Sequence, residues 1–482
     1  MRDLLSRRRL LGGLGGALGV SSISSRTQTH ATPTRSVDAV RHSGDLLLMG
    51  AGTHFIGQGK GNPDSLTDIL RQAGATTIRD EISWGQVETQ PSVLSVPPAQ
   101  DEYVRSAVAS GLDVLIILDY GNRFYDQGER PTSEAAMAAF TRYATFMAKH
   151  FRGVVNKFEI WNEWDIPIGG VTGPGDPADY MRLVRTVSVA LKEVDPNITV
   201  VAGAMTNAAM YNGFLDGTLA GGLLQHCDVV SAHPYNWGEE LQARRPEAWL
   251  TRMDWLQSKL RDHNGGRDFP VYVTEMGWPT QIDERGIATN RAGAHCARMY
   301  LLAATLPYLK GLWWYDLQDD GWGATEPEDN FGLIRADETP KPSYYSYAAA
   351  AAFLRGARFR RRIPTPDADA WALFFSSQGS HDAIALWSAH LDDDWSVVLR
   401  DTHGKGNGKL TVEELGRPAI PRRWGRREWY SDQDAPILHD EMEVTLRRNP
   451  IIVRGSLDGV EVTRVTKRPF PESSRSEGLY WE

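Results

Sequence analysis

The chain has 482 residues, 41% of them hydrophobic and 23% charged, with a formal net charge of −9. This is an ordinary soluble globular composition, neither disordered nor membrane-embedded, and the length suits a barrel of ~250–350 residues plus an appendage. An acidic chain repels phosphate backbones, which excludes nucleic acid as a partner.

Residues 1–31 read as an export address. Ser6-Arg7-Arg8-Arg9-Leu10-Leu11 resembles the twin-arginine signature, a modestly apolar, glycine-rich stretch runs to Ile23, and Thr29-His30-Ala31 offers a small-residue cleavage site. The apolar stretch is too short and too rich in glycine to make a stable membrane span. The expectation is a periplasmic or extracellular protein; losing five Arg and one Asp with residues 1–31 takes the net charge to −13. Residues 32–44 read as a linker.

From 45 to 355, short apolar or β-branched runs alternate with longer stretches of helical period. The spacing predicts strands at 46–54, 75–82, 112–119, 156–163, 198–204, 227–233, 270–275 and 311–316. Helices are expected at 64–73, 98–110, 133–150, 178–194, 246–263 and 289–306, several opening on caps: Asp64, Thr132 with Ser133, and Asp176 before Pro177. Eight β-then-α units point to a closed parallel (β/α)8 TIM barrel. An open doubly wound sheet would need a glycine-rich phosphate turn after its first strand, and no GxGxxG opens a helix among Gly50, Gly52, Gly57, Gly59 and Gly61. From 356 to 482 short alternating runs separated by turns, such as Gly404-Lys405-Gly406-Asn407-Gly408, predict a β-rich accessory domain, sandwich-like. Gly408 and Glu414 have EF-hand spacing, but His403 and Lys405 would stand at the first ligand positions and neither suits calcium. Cys227 and Cys296, too few for a disulfide framework, read as free buried thiols.

In such a barrel the active site lies at the C-terminal ends of the strands. The fourth strand runs into Ile160-Trp161-Asn162-Glu163-Trp164 and the seventh into Thr274-Glu275-Met276-Gly277-Trp278. A carboxylate at a barrel mouth costs solvation and needs a reason. Two of them, from strands on opposite sides, can face each other over a substrate. Glycoside cleavage requires such a pair, one protonated to help the leaving oxygen depart and one ionised to attack or support the oxocarbenium-like centre. His54, ending the first strand, is placed in the donor-sugar pocket. Of Trp313 and Trp314 one should be a sugar platform, neighbours in a strand pointing oppositely, and Trp314 is favoured. Asn122 and Trp278 are further candidates for lining the cleft. His54, His233, Asp119, Asp316, Asp319 and Asp320 gather near the mouth without HxH or HExxH spacing, so no metal and no cofactor is expected. The competing functions are a non-catalytic carbohydrate-binding protein, a transglycosylase on the same site and a metal-dependent hydrolase; the two glutamates favour a hydrolase.

Ile160–Trp164 (IWNEW), Thr274–Trp278 (TEMGW), Asp119–Asn122 (DYGN), Trp313–Gly321 (WWYDLQDDG), Asn330–Leu333 (NFGL) and Pro340–Tyr344 (PKPSY) carry a more specific likeness. Over residues 45–350 the chain resembles the retaining barrel glycoside hydrolases, in particular family 39 and related exopolysaccharide hydrolases. The resemblance implies a retaining enzyme cleaving β-configured O-glycosidic bonds of a polysaccharide or oligosaccharide. By it Glu163 is the acid/base, Glu275 the nucleophile, and Asn162 contacts the sugar 2-hydroxyl. It also implies that Arg79 hydrogen-bonds the nucleophile, an ion pair with Asp80 or Glu81 being the competing reading. Tyr235 would donate to the nucleophile and His233 touch the sugar, against a histidine merely satisfied by backbone.

Overall fold

In the barrel, every second residue of a strand faces inward, and the inward rows sort by chemistry from the bottom up. The structure is a computed structural model describing residues 46–377, 382–390, 393–402, 411–415, 441–446, 448–455, 457 and 459–469. The export address and linker, like the glycine-rich turn at 404–408 and the residues His403, Lys405 and Gly408 of the rejected calcium loop, lie outside the described residues.

The strands are β1 Leu48–Gly52, β2 Thr77–Glu81, β3 Asp113–Leu118, β4 Lys157–Ile160, β5 Thr199–Thr206, β6 Val229–His233, β7 Val271–Met276 and β8 Leu309–Trp314. All eight are parallel and close in sequence order, the ring being completed by β1 against β8 with Gly50 opposite Trp313. The (β/α)8 barrel expected from the alternating textures is therefore present. Its outer layer is α1 Pro63–Gln72, α2 Pro98–Ala109, α3 Glu134–His150, α4 Pro177–Val194, α5 Pro246–His263, α6 Thr289–Ala303 and α7 Pro342–Gly356. Asp176 caps α4 and Ser133 caps α3 through side-chain bonds to backbone N–H groups. At α1 the cap is Asn62 and not Asp64, because Pro63 takes the first helical position and needs no donor partner. Between β5 and β6 three short helices, Asn207–Tyr211, Phe214–Ala220 and Leu223–His226, replace a single long one.

The lower interior is apolar: Leu48, Leu115, Val201, Val229, Tyr272 and Trp313 form one cluster. Trp313 fits there because Gly50 faces it; a Cβ on Gly50 would lie 2.4 Å from the indole Cδ1. Above this plug the inward positions turn polar: Arg79 on β2, Glu159 on β4, His233 on β6 and Thr274 on β7, all buried. The outward rows meet the helices in the main core. β4 stops at Ile160, and Trp161 and Glu163 then adopt left-handed φ of 67° and 48°. Such a backbone is unfavourable for non-glycine residues and persists where surroundings hold it. Here the Glu163 N–H donates to the Ala204 carbonyl at 3.0 Å. That carbonyl is presented by an irregularity of β5 between Ala202 and Met205. The irregularity turns on Gly203 at φ 125°, where a Cβ would lie 2.3 Å from the Ser231 carbonyl.

The C-terminal part is two antiparallel sheets over β9 Ala357–Arg362, β10 Ala370–Ser377, β11 Asp382–Ser388, β12 Asp393–Asp401, β13 Thr411–Glu414, β14 Glu441–Leu446, β15 Ile451–Gly455 and β16 Val460–Pro469. Their orders are β13-β15-β11-β10-β9 and β14-β12-β16. Inner residues of both, among them Leu386, Val453, Trp395 and Val444, share one core, the arrangement of a sandwich. The other face of the larger sheet, through Leu373, Phe375 and Trp387, joins the barrel's own core. Each such side chain contributes about 1.5–3 kcal/mol by burial. The Trp387 indole N–H also donates at 2.8 Å to Glu247 of α5, which pairs with Arg298 of α6. Cys227 and Cys296 are free, Cys296 buried and Cys227 partly so. Among the described residues no helix is long and apolar enough to cross a membrane.

Candidate active site

At the barrel mouth two carboxylates meet with very different partners. Glu275, on β7, receives the Arg79 Nη1–H on Oε1 at 2.7 Å and the Tyr235 hydroxyl on Oε2 at 3.0 Å. Both donors stabilise a negative charge on it. Glu163 Oε1 lies 2.9 Å from His233 Nδ1, and His233 Nδ1 is 3.6 Å from Glu275 Oε2. One oxygen of each glutamate and a ring nitrogen of His233 lie within 4.8 Å of one another. Burial pushes the Glu163 carboxyl up; the His233 bond pulls it back, and the charges of Glu275 and Asp165 push it up further. Burial also opposes charge on His233, but Glu275 and Glu163 outweigh it and the ring's pKa rises. The two groups thus compete for one proton. Burial and the nearby Glu275 charge hold the Tyr235 phenol far above its ordinary range, so it remains a donor.

Arg79 organises the rest. Its Nε donates to Glu159 at 2.6 Å and its Nη2 to Asn162 Oδ1 at 2.8 Å, while Asn162 Nδ2 donates to the Tyr120 hydroxyl at 3.0 Å. The competing ion pair with Asp80 does not form. Asp80 points outward and accepts from the Thr53 hydroxyl at 2.6 Å and from the Ile56 and Gly57 N–H groups, tying down the β1 loop. Burial raises its carboxyl to about 7, against the pull of those donors.

The family model described as cellulase, glycosyl hydrolase family 5, matches residues 40–304, more than half of the chain. The chain belongs to glycosyl hydrolase family 5. It is a glycoside hydrolase. Solved structures of family 39 enzymes share its fold. One from the gut symbiont Bacteroides cellulosilyticus WH2 is 22% identical, with a TM-score of 0.66 over 85% of this chain and 81% of that one. A β-xylosidase from Caulobacter crescentus is 18% identical, with a TM-score of 0.58 over 88% of this chain and 98% of that one. A probable glucan endo-1,3-beta-glucosidase of Emericella nidulans is 22% identical over 205 residues, 42% of this chain and 42% of its own, so the match spans less than half of that relative. The expected kinship with barrel glycoside hydrolases therefore holds, the matching model being that of family 5.

Other expected site residues of this glycoside hydrolase divide. His54 lines two adjoining clefts, one reaching Arg79, Asn162, Glu275 and Tyr315, the other reaching Lys60 and Asp316. His233 does not open to the cleft. It is fully buried, and its ring contacts Glu163 and Thr274, so it acts on the site through Glu163 and not on a sugar. Trp314 is overturned as a platform: strand phase turns it outward, its indole N–H donating to the Phe331 carbonyl at 3.1 Å and its ring packing near Trp278. The inward residue at the mouth of β8 is Tyr315, which precedes a cis peptide to Asp316 and donates to Glu328 at 2.9 Å. Trp278 is likewise buried, donating to the Arg244 carbonyl at 2.7 Å behind the site. Asn122 braces the β3 loop, donating to the Glu88 carbonyl at 2.9 Å and accepting from the Phe124 N–H at 3.0 Å. Its Nδ2 also reaches the Trp84 carbonyl at 3.4 Å, so both amide hydrogens of Asn122 point into the β3 loop and its neighbours and none toward a ligand.

Residues that pattern reading passed over are Glu159, Thr274, Tyr120 and Tyr315. Glu159 carried a signal: a carboxylate between Phe158 and Ile160, at an inward position of an apolar strand. Among the described residues two clusters have donors for a cation, Glu163/His233/Glu275 and His54/Asp316/Asp320. In the first both Glu275 oxygens are already engaged. In the second the Lys60 ammonium lies 2.6 Å from Asp320, and burial with the charges of Asp320, Asp319 and Glu328 drives the Asp316 carboxyl well above its usual range.

Proposed function

We propose that the enzyme hydrolyses β-configured O-glycosidic bonds of a polysaccharide or oligosaccharide by double displacement, with Glu163 as acid/base and Glu275 as nucleophile. The observation that carries this is the asymmetry of the pair: a guanidinium and a phenol donate to Glu275, while Glu163 sits beside a histidine with its carboxyl raised by burial. Environments that push two carboxyls apart in this way separate acid from base. Glu163 donates its proton to the leaving oxygen as Glu275 attacks the anomeric carbon. Glu163 then removes a proton from the water that releases the glycosyl-enzyme. One oxygen of each glutamate lying within 4.8 Å of the other supports the close pairing of a retaining reaction, in which the carboxyls stand about 5–5.5 Å apart, over the ~6.5–9.5 Å of an inverting one. Asn162, gripped by Arg79 and bonded to Tyr120, keeps one amide hydrogen for the sugar 2-hydroxyl. The names of the glucanase and xylosidase relatives both carry a β-linkage. His54 and Tyr315 line the donor-sugar pocket.

The test is hydrolysis of aryl β-glycosides and β-glucans by wild type, Glu163→Gln and Glu275→Gln. Both variants should lose more than about 10²-fold in rate, with wild type retaining anomeric configuration. Activity surviving in both would move the active site elsewhere. We further propose export by the twin-arginine route on the strength of residues 6–11, tested by N-terminal sequencing of the protein recovered outside the cytoplasm.

A further inference from the structure

Four residues before Glu163, deep in the barrel, Glu159 is fully buried and touches neither cleft. Both of its oxygens are engaged. Oε2 accepts from Arg79 Nε at 2.6 Å and Oε1 accepts from the Thr274 hydroxyl at 3.0 Å. A threonine hydroxyl has a single proton. With that proton on Glu159, Thr274 Oγ1 can only accept from His233 Nε2, 3.1 Å away, so Nε2 carries a hydrogen. The opposite ring nitrogen faces Glu163 Oε1 at 2.9 Å. In a neutral ring with hydrogen on Nε2, Nδ1 is a lone pair, and the contact closes only if Glu163 supplies the proton. A chain of three hydrogen bonds thus leads from Glu159 to the carboxyl at the mouth.

We propose that Glu159 is a positioning residue that keeps the general acid loaded: through Thr274 it holds His233 in the Nε2–H tautomer, so that a neutral His233 requires a protonated Glu163. The inference rests on Glu163 being the acid. The alternative tautomer, with hydrogen on Nδ1, would donate to Glu163 and stabilise its ionised form, which is the wrong state for assisting departure. The groups facing the ring are Glu163 and Asp165 from the loop after β4, Glu275 and Thr274 from β7, Arg79 from β2 and Tyr235 from the loop after β6. Of these groups, Thr274 is bonded to Nε2 and Glu163 to Nδ1. The same carboxylate also aims Arg79, whose remaining nitrogens reach Glu275 and Asn162.

The experiment compares wild type, Thr274→Val, Thr274→Ser, Glu159→Gln and Glu163→Gln. It reads kcat/KM against pH for two aryl β-glycosides of a sugar the wild type cleaves, one with a phenyl and one with a dinitrophenyl leaving group. Phenol departure needs the acid; dinitrophenol departure does not. In Thr274→Val the ring hydrogen moves to Nδ1. The alkaline limb for the phenyl substrate should then shift to lower pH by about one unit, and its rate near neutrality fall about tenfold, while the dinitrophenyl substrate changes less than about threefold. Thr274→Ser should restore both. Nitrogen-15 NMR of His233 should report the Nε2–H form in wild type and the Nδ1–H form in Thr274→Val. Glu159→Gln should repeat the shift and also slow the dinitrophenyl substrate, since Arg79 loses its anchor. If Thr274→Val slows both substrates equally, with the alkaline limb and the tautomer unmoved, Glu159 and Thr274 are packing only and the proposal is overturned. If Glu163→Gln itself fails to discriminate between the leaving groups, the acid assignment falls and the inference with it, a result distinguishable because it appears without touching Thr274 or Glu159.

Discussion

Replacing Arg79 by methionine keeps the apolar stem and removes the guanidinium. Three hydrogen bonds of 2.6, 2.7 and 2.8 Å are lost at once, to Glu159, Glu275 and Asn162. The side chains of Arg79, Glu159 and Glu275 are 4%, 0% and 9% exposed, so water cannot replace the missing donors. Removing one partner of a buried ion pair costs about 3–5 kcal/mol, because a desolvated charge is left behind. Two carboxylates lose their guanidinium, and the double variant Arg79→Met/Glu159→Leu removes one of them, Glu159, while Glu275 remains. It should be about 1–3 kcal/mol more stable than the single variant, because the losses of directly bonded residues do not add. Activity should not recover, since Glu275 still lacks its guanidinium; a misplaced reacting group costs on the order of 10²-fold. Urea unfolding followed by tryptophan fluorescence reads the first quantity and turnover of an aryl β-glycoside the second. A single variant within about 1 kcal/mol of wild type, or a double variant no more stable than the single, would refute the account of Arg79 as the electrostatic centre of the barrel interior.

Three further outcomes follow from the same geometry. Gly50→Ala puts a methyl 2.4 Å from the Trp313 ring on a strand whose register is locked to β8, and should cost about 1–3 kcal/mol; in a Trp313→Ala background, where the clashing ring is gone, the same change should cost less, which additive losses would contradict. In Glu275→Gln a negative charge that favours the protonated form of Glu163 disappears, so Glu163 should lose its proton at lower pH than in wild type. Carbon-13 NMR titration of the Glu163 carboxyl reads this, and an unchanged or higher midpoint would mean that the two carboxyls do not sense each other. Asn122→Ala should lower stability by about 1–3 kcal/mol with KM unchanged, because it unties the β3 loop and touches no substrate; a raised KM with full stability would return Asn122 to the cleft.

Much of the architecture was legible in the residues. The strand runs were found within a few residues because alternation and apolar runs are local properties, as are caps such as Ser133 and Asp176. The two glutamates stood out because a carboxylate at the end of an apolar strand has few reasons to be there. Arg79 and Tyr235, which the resemblance placed at a carboxylate, both donate to Glu275. What misled was phase. Sequence favours Trp314 over Trp313 as the platform, yet Trp314 faces the helices and Trp313 plugs the barrel floor, leaving Tyr315 at the mouth. Trp278 and Asn122 sit beside cleft residues in sequence but turn away from them in space.

The sequence by itself determined that eight β/α units would close into a barrel and that Glu163 and Glu275 would stand at its mouth. Both follow from periodicities of two and 3.6 residues, which each segment carries alone. Only the tertiary structure decided which side chains share the interior. Gly50 meets Trp313 across some 260 residues of chain, and Glu163 takes a left-handed backbone because β5 breaks its ladder at Gly203 and offers it the Ala204 carbonyl. Arg79, Glu159, Thr274 and His233 come from four strands, and no stretch of sequence contains the contacts between them. Barrel closure sets the register between those strands, and register decides which groups are left in the dry interior with one another as their hydrogen-bond partners.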